Sequence, residues 1–311
     1  MSDQLSLFGD DHLTRMAFYE NLEKFDLEAA TKSLEKWQRT FNPPDDLPQK
    51  IEALRYLLQQ INIRGKSFTQ YLAQLLKTWQ KQPELQPLKK EGPYLTKGLY
   101  YALYSQLDKQ SIDFIDEELQ VHPAEVLIAQ CDFQGALRIL RNYFQRYGEH
   151  PFLRELQAFA LWETGQKRQA MVDYTFAVFA DPFALQETYL RARFFRKKLN
   201  LLRHQLQDEA KARVRLAFEL WREGQTYIEG THPSFEEFIK ARIRTLAQKP
   251  NDPNARLLHF NALLFLAESE RLRAYPNRPG TAFENLSAEM RALSYEHHTL
   301  YIETLKSFRN I

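Results

Sequence analysis

Glycine is scarce in this sequence, ten in 311 residues, or about 3% against a usual share of roughly 7%. That scarcity disfavours glycine-rich phosphate loops and turn-dense β-architectures. Cysteine is rarer still. The one thiol, Cys131, excludes an intramolecular disulfide and any multi-thiolate metal site built from this chain alone, and it fits a reducing compartment. No apolar run approaches the roughly 18–20 residues that a membrane-crossing helix needs. The opening residues, Met1-Ser-Asp-Gln-Leu-Ser-Leu-Phe-Gly-Asp-Asp11, have neither the basic start nor the apolar stretch of a signal peptide. A cytoplasmic protein with no membrane partner is expected. An excess of one charge is also missing: 42 Lys and Arg face 40 Asp and Glu, a net charge of +2. This argues against a nucleic-acid coat protein or an acidic-tail protein.

Enzyme signatures are absent as well. The sequence has no P-loop, dinucleotide fingerprint, nucleophile elbow or kinase motif. His297 and His298 are the one adjacent histidine pair; on a helix they point about 100° apart and do not readily share a metal. Glu296 and Glu303 do not complete a ligand face. Cys131, between Ala129 and Phe133, reads as a small core residue with no activating partner. Trp37, Trp79, Trp162 and Trp221 fall at helical spacing among apolar residues and read as core. The carboxylate pairs Glu117-Glu118 and Glu236-Glu237 read as solvated helix faces. No enzymatic activity, cofactor or metal is expected.

What the sequence does contain is a normal globular composition, 44% hydrophobic and 26% charged, with apolar residues recurring at three- and four-residue steps. This periodicity predicts helices at roughly 12–41, 46–62, 66–80, 94–107, 110–119, 123–131, 133–147, 151–164, 167–180, 183–200, 202–227, 233–248, 254–274 and 286–309. Proline marks many of the breaks, because it lacks an amide donor and clashes inside a helix. Ser234 with Glu237 reads as a capping box, with Pro233 leaving the cap position open by a residue or two.

Repeats come next. Asp132-Phe-Gln-Gly-Ala136 and Gly165-Gln-Lys-Arg-Gln-Ala170 place two helix-opening alanines 34 residues apart, which is the tetratricopeptide period. The second unit carries Ala158 and Leu161, then the Gly165 turn, then Ala170, Tyr174 and Ala177, closed by Asp181-Pro182. Small residues let paired helices approach, and a large residue one turn on fills the space beside them. The stretch 121–182 resembles tetratricopeptide repeats. Asp26-Leu-Glu-Ala-Ala30 with Leu34, Trp37 and Pro43 echoes the second helix of such a unit. Leu220-Trp-Arg-Glu-Gly-Gln225 echoes Leu161-Trp-Glu-Thr-Gly-Gln166 at a spacing of 59, which is no multiple of the period. The resemblance implies an all-α fold of helical hairpins stacked as an α-solenoid or irregular helical-repeat array, whose concave surface would bind other proteins. An irregular helical bundle containing two such hairpins is the alternative.

Ahead of the first helix lies Gln4-Leu5-Ser6-Leu7-Phe8, an apolar cluster with no helix face to serve. Such a cluster is either a docking element or a strap across the protein's own core. All five positions resemble the bacterial sliding-clamp-binding motif. The resemblance implies that Gln4 orients the peptide at the edge of a cleft on the clamp, Leu5 fills a shallow site, Ser6 matches the variable position, and Leu7 and Phe8 anchor it.

Between Arg191 and Arg222 ten basic residues face three acidic ones, a local surplus of seven in a nearly neutral chain. Arg191, Arg193, Arg196, Lys197, Lys198 and Arg203 are the candidate nucleic-acid contacts, with Tyr189, Phe194 and Phe195 available to stack on bases. The competing reading makes the aromatics core and the cations a solvated surface, since the cations run almost all round the helix.

The sequence is therefore expected to comprise a docking tail (1–11), an N-terminal helical region (12–120), tetratricopeptide-like repeats (121–182) and a C-terminal helical region (183–311). Its expected role is that of a non-enzymatic adaptor acting in DNA replication or repair. A general protein-binding scaffold and a nucleic-acid-binding helical protein are the alternatives.

Overall fold

The computed structural model describes residues 10–40, 44–64, 68–108, 110–230 and 232–309. Among them are fifteen α-helices, short 3-10 segments and no strand beyond an isolated bridge between Asp116 and Val121. The fold is all-α, and helices pack largely against their neighbours in sequence, as a helical-repeat array does. The chain divides into two compact units at Ile139/Leu140.

The first unit opens with α1 (Asp10–Glu23) and α2 (Leu27–Thr40), where periodicity predicts one helix over 12–41. Phe25 breaks it by adopting a left-handed conformation, φ 57°, and the Asp26 carboxylate then accepts from Ala29 N at 2.9 Å to cap α2. Next come α3 (Leu47–Arg64) and α4 (Phe68–Thr78), then 3-10 turns at Trp79–Lys81 and Pro83–Glu91. From there α5 (Gly92–Gln106) packs against α1 and α4. Gly98 makes the α1 contact possible: a Cβ there would lie 2.1 Å from the Leu22 carbonyl oxygen. Leucines including Leu22, Leu34, Leu54, Leu72 and Leu99 fill a common core with Trp79.

The helix predicted over 110–119 does not form. Asp108 and Asp116 instead accept from the backbone amides of Gln110 and Leu119 at 3.0 and 2.9 Å, local turn bonds that compete with helix formation. His122 then caps α6 (Pro123–Ala129) by accepting from Ala124 N at 3.1 Å through Nδ1, while Nε2 lies 2.9 Å from Ile112 O. Cys131 follows α6 at φ 60° and is exposed. This corrects the expectation of a core thiol: the residue lies in the turn that joins α6 to α7 (Phe133–Tyr147), where its side chain leaves the buried helix face.

In the second unit, α8 (Pro151–Glu163) and α9 (Lys167–Ala180) form a hairpin about Gly165, φ 85°. Every residue from Ala170 to Ala180 is buried. α9 packs on α8 and also on α11 (Glu209–Arg222), α12 (Pro233–Ala247) and α13 (Pro253–Ala274). The hairpin is thus a central element of its unit and presents little open surface of its own.

Helix is predicted from 183, but α10 (Arg193–Leu206) starts ten residues later. Tertiary bonds hold the preceding segment across the hairpin. Gln186 N donates to the buried Glu155 at 2.7 Å, Tyr174 Oη donates to Tyr189 O at 2.5 Å, and Arg191 N donates to Tyr174 Oη at 3.2 Å. Gln207 (φ 49°) and the Asp208 cap on Lys211 N separate α10 from α11. Ser294 likewise splits the predicted final helix into α14 (Thr281–Leu293) and α15 (Tyr295–Arg309).

Candidate functional site

The pentapeptide Gln4, Leu5, Ser6, Leu7 and Phe8, expected from the sequence to dock on a partner, lies outside the described residues. The basic stretch, in contrast, is fully described, and the structure sorts its members by partner. Arg191 Nε donates to Glu163 at 2.7 Å, and its guanidinium lies 4.6 Å from the Phe159 ring centroid. Lys198 is mostly covered and bonded to Glu223. Arg203 bonds Glu187 at 2.5 Å and also Glu209. These bonds to Arg203, and for Glu209 a second to Arg213, hold both carboxyls below the usual range, with Glu209 drawn down to about 2. Lys211, Arg213 and Arg222 pair with Asp208, Glu209 and Glu219.

Arg193, Arg196 and Lys197 make no ion pair among the described residues; Arg193 and Lys197 are exposed and Arg196 is half-buried. Tyr189 and Phe195 are core, and Phe194 is half-buried against Phe195, with ring centroids 5.0 Å apart. Stacking on bases is therefore not open to Tyr189 or Phe195 in this arrangement. Phe195, Leu199 and Leu202 bury one side of α10, and the unpaired cations stand on another.

A buried polar cluster around Arg154 escaped sequence reasoning. Arg154 donates to both oxygens of Glu149 at 2.5 and 2.8 Å, and to Asp173 at 3.3 Å. Its guanidinium lies 3.8 Å from the Phe144 ring centroid and 4.7 Å from that of Phe235. Gln157 donates to Asp173 at 2.9 Å, and Ser234 donates to Glu149 at 2.6 Å. Ser234 therefore bonds Glu149 and forms no capping box with Glu237; His232 occupies the cap position of α12. Burial pushes the Asp173 carboxyl up to about 7 against the pull of Arg154 and Gln157, and burial lowers the pKa of His232. Because Ser234 donates to a carboxylate already clamped by arginine, this arrangement locks α12 to the hairpin and does not activate the hydroxyl.

The remaining candidates also have structural partners. His297 packs against the Phe218 and Phe260 rings and lies 2.8 Å from Ser294 Oγ, whereas His298 lies 2.8 Å from Ser287 Oγ. They diverge as adjacent helical residues must. Both are half-buried, and burial lowers the pKa of each. Trp37, Trp79 and Trp221 are core, while Trp162 is half-buried beneath Lys167. Glu117, Glu118 and Glu237 are exposed, but Glu236 is buried and accepts from Ser269 at 2.7 Å and from Arg273. Among the described residues no group of His, Cys, Asp and Glu is placed to hold a metal ion, and no helix is long and apolar enough to cross a membrane.

The fold defines a helical-repeat-like, all-helix protein. No family model, curated protein or solved structure matches the chain.

Proposed function

We propose that this protein is a non-enzymatic adaptor that docks on a bacterial DNA sliding clamp through Gln4–Phe8 and brings its helical body to sites of replication or repair. The observation that carries the reading is the five-position match, placed immediately ahead of α1, which begins at Asp10. Leu7 and Phe8 supply a compact apolar anchor of the kind that dominates peptide docking. Tetratricopeptide-like character in 121–182 supports a protein-binding role for the body, although the burial of α9 directs that role to surfaces other than the α8/α9 hairpin.

The test is a titration of purified protein against a bacterial sliding clamp, comparing wild type with Leu7→Ala/Phe8→Ala. Micromolar or tighter binding that disappears in the variant, with Tm unchanged, supports docking. Binding that survives the double substitution rules it out.

One observation favours a second reading, a scaffold whose pentapeptide straps its own body. Leu13 and Met16 stand 55% and 46% exposed on α1, apolar surface close in sequence to the pentapeptide. In that case the double variant melts several degrees lower.

A further inference from the structure

Helix α10, Arg-Phe-Phe-Arg-Lys-Lys-Leu-Asn-Leu-Leu-Arg-His-Gln-Leu, contains no acidic residue. Two of its cations are paired with carboxylates of the same unit, Lys198 with Glu223 and Arg203 with Glu187 and Glu209, and neighbouring Arg191 is paired with Glu163. The cations left over do not run round the helix. Arg193, Arg196 and Lys197 fall at i, i+3 and i+4 on one stripe, which continues through the exposed Asn200, Leu201 and His204. Two guanidinium forks and an ammonium are gathered within about 6 Å of helix rise, opposite the buried Phe195, Leu199 and Leu202.

This placement works against the helix itself. All three charges lie in its first turns, where the macrodipole favours anions. The Ala192 cap offers no side-chain bond, and no acidic residue occupies the first turn. A surface shaped only for stability would carry Asp or Glu here.

We propose that this stripe contacts the phosphate backbone of duplex DNA. Charge density selects the partner. An extended acidic peptide presents same-face side chains only every 6.6 Å or so, whereas duplex DNA carries one negative charge per about 1.7 Å of axis, a density matched to three cations on one helical turn. Arginine forks bond phosphate oxygens bidentately. Asn200 and His204, further along the same stripe, add polar contacts to the backbone. Contacts of this kind position a protein without reading sequence. The inference stands apart from clamp docking and does not need it.

The experiment is fluorescence anisotropy with a labelled 20-base-pair duplex and no clamp present, so that a failure of docking leaves the result untouched. Wild type should bind at low salt with a dissociation constant in roughly the micromolar to hundred-micromolar range. Three phosphate contacts predict a log K against log salt slope of about −2.7, or roughly 40-fold weaker binding at 200 mM than at 50 mM salt. The variant R193E/R196E/K197E should lose this binding. It should melt no lower than wild type, because glutamate suits the first turns of a helix, so loss of fold does not mimic loss of contact. Undiminished binding by the triple variant overturns the proposal. So does absence of wild-type binding to the duplex at 25 mM salt, or tighter binding to polyglutamate of equal charge.

Discussion

Asp173 Oδ1 lies 3.3 Å from Arg154 Nη1 at the centre of the α8/α9 hairpin, and the carboxylate is fully buried. Arginine lies close by, yet desolvation dominates and pushes the Asp173 pKa from 3.8 up to about 7. Between those values the folded protein holds a proton that the unfolded chain has released, so the stability contributed by protonated Asp173 is lost as pH rises through this window.

Asp173→Asn cannot titrate, and its stability relative to wild type should therefore rise with pH from about 4 to about 7 and level off above. The change is on the order of a few kcal/mol at most. Half-buried His232, His259, His297 and His298 have pKa values lowered by desolvation. They contribute the opposite sign, with stability lost as pH falls below about 6.5, and are common to both proteins. Denaturant titrations of the pair at pH 5, 6, 7 and 8 check this. Parallel stability curves would remove Asp173 as a titrating group.

Some features whose causes are local were readable from the sequence, although the Asp26 cap and the Asp108 and Asp116 turn bonds, also local, were read as continuous helix. The Gly165 turn and the Ala170, Tyr174, Ala177 register emerge from a 34-residue spacing and are present in the α8/α9 hairpin. Features made by distant partners were not. Nothing near residue 183 announces that Glu155 and Tyr174 will hold the following backbone out of a helix. Glu149 and Ser234 are 85 residues apart, so no spacing rule joins them. The basic surplus of 191–222 was legible as composition. Which cations remain unpaired depends on Glu163, Glu187 and Glu223, carboxylates brought there by other parts of the fold.

Two glycines should respond differently to alanine. At Gly98 the added methyl meets backbone, the Leu22 carbonyl at 2.1 Å, which cannot move aside as a side chain would. Gly98→Ala should cost about 3 kcal/mol through forced separation of α1 and α5. Gly165 has open space around its missing Cβ but a φ of 85°, so Gly165→Ala should cost only the left-handed penalty of about 1–2 kcal/mol. Differential scanning calorimetry should rank wild type above Gly165→Ala and Gly165→Ala above Gly98→Ala. The reverse order of the two variants would show that α1 and α5 are not in this close contact.

Cys131 should react in the native state. It is exposed on the turn between α6 and α7, where a thiol reagent needs no unfolding to reach it. Titration with a chromogenic disulfide should release one equivalent per chain without denaturant, at a rate indifferent to conditions that stabilise the fold. A thiol protected until denaturant is added would restore the core assignment.

Lys50 and Glu91 form a buried pair at 2.8 Å, joining α3 to the 3-10 segment before α5. Desolvation alone would lower the Lys50 pKa, but bonds to Glu91 and Asp46 outweigh it and raise the pKa, so the ammonium stays charged inside the unit. Removing one partner leaves that charge poorly compensated. Glu91→Ala should cost toward the lower end of about 3–5 kcal/mol, because Asp46 still reaches Lys50 at 3.1 Å. Replacing both partners by apolar residues of similar volume, as in Lys50→Met/Glu91→Leu, removes the desolvation penalty together with the attraction and should recover most of the loss. A double-mutant cycle in urea measures the coupling. Additive costs in the double variant would mean that the two side chains do not sense each other across this contact.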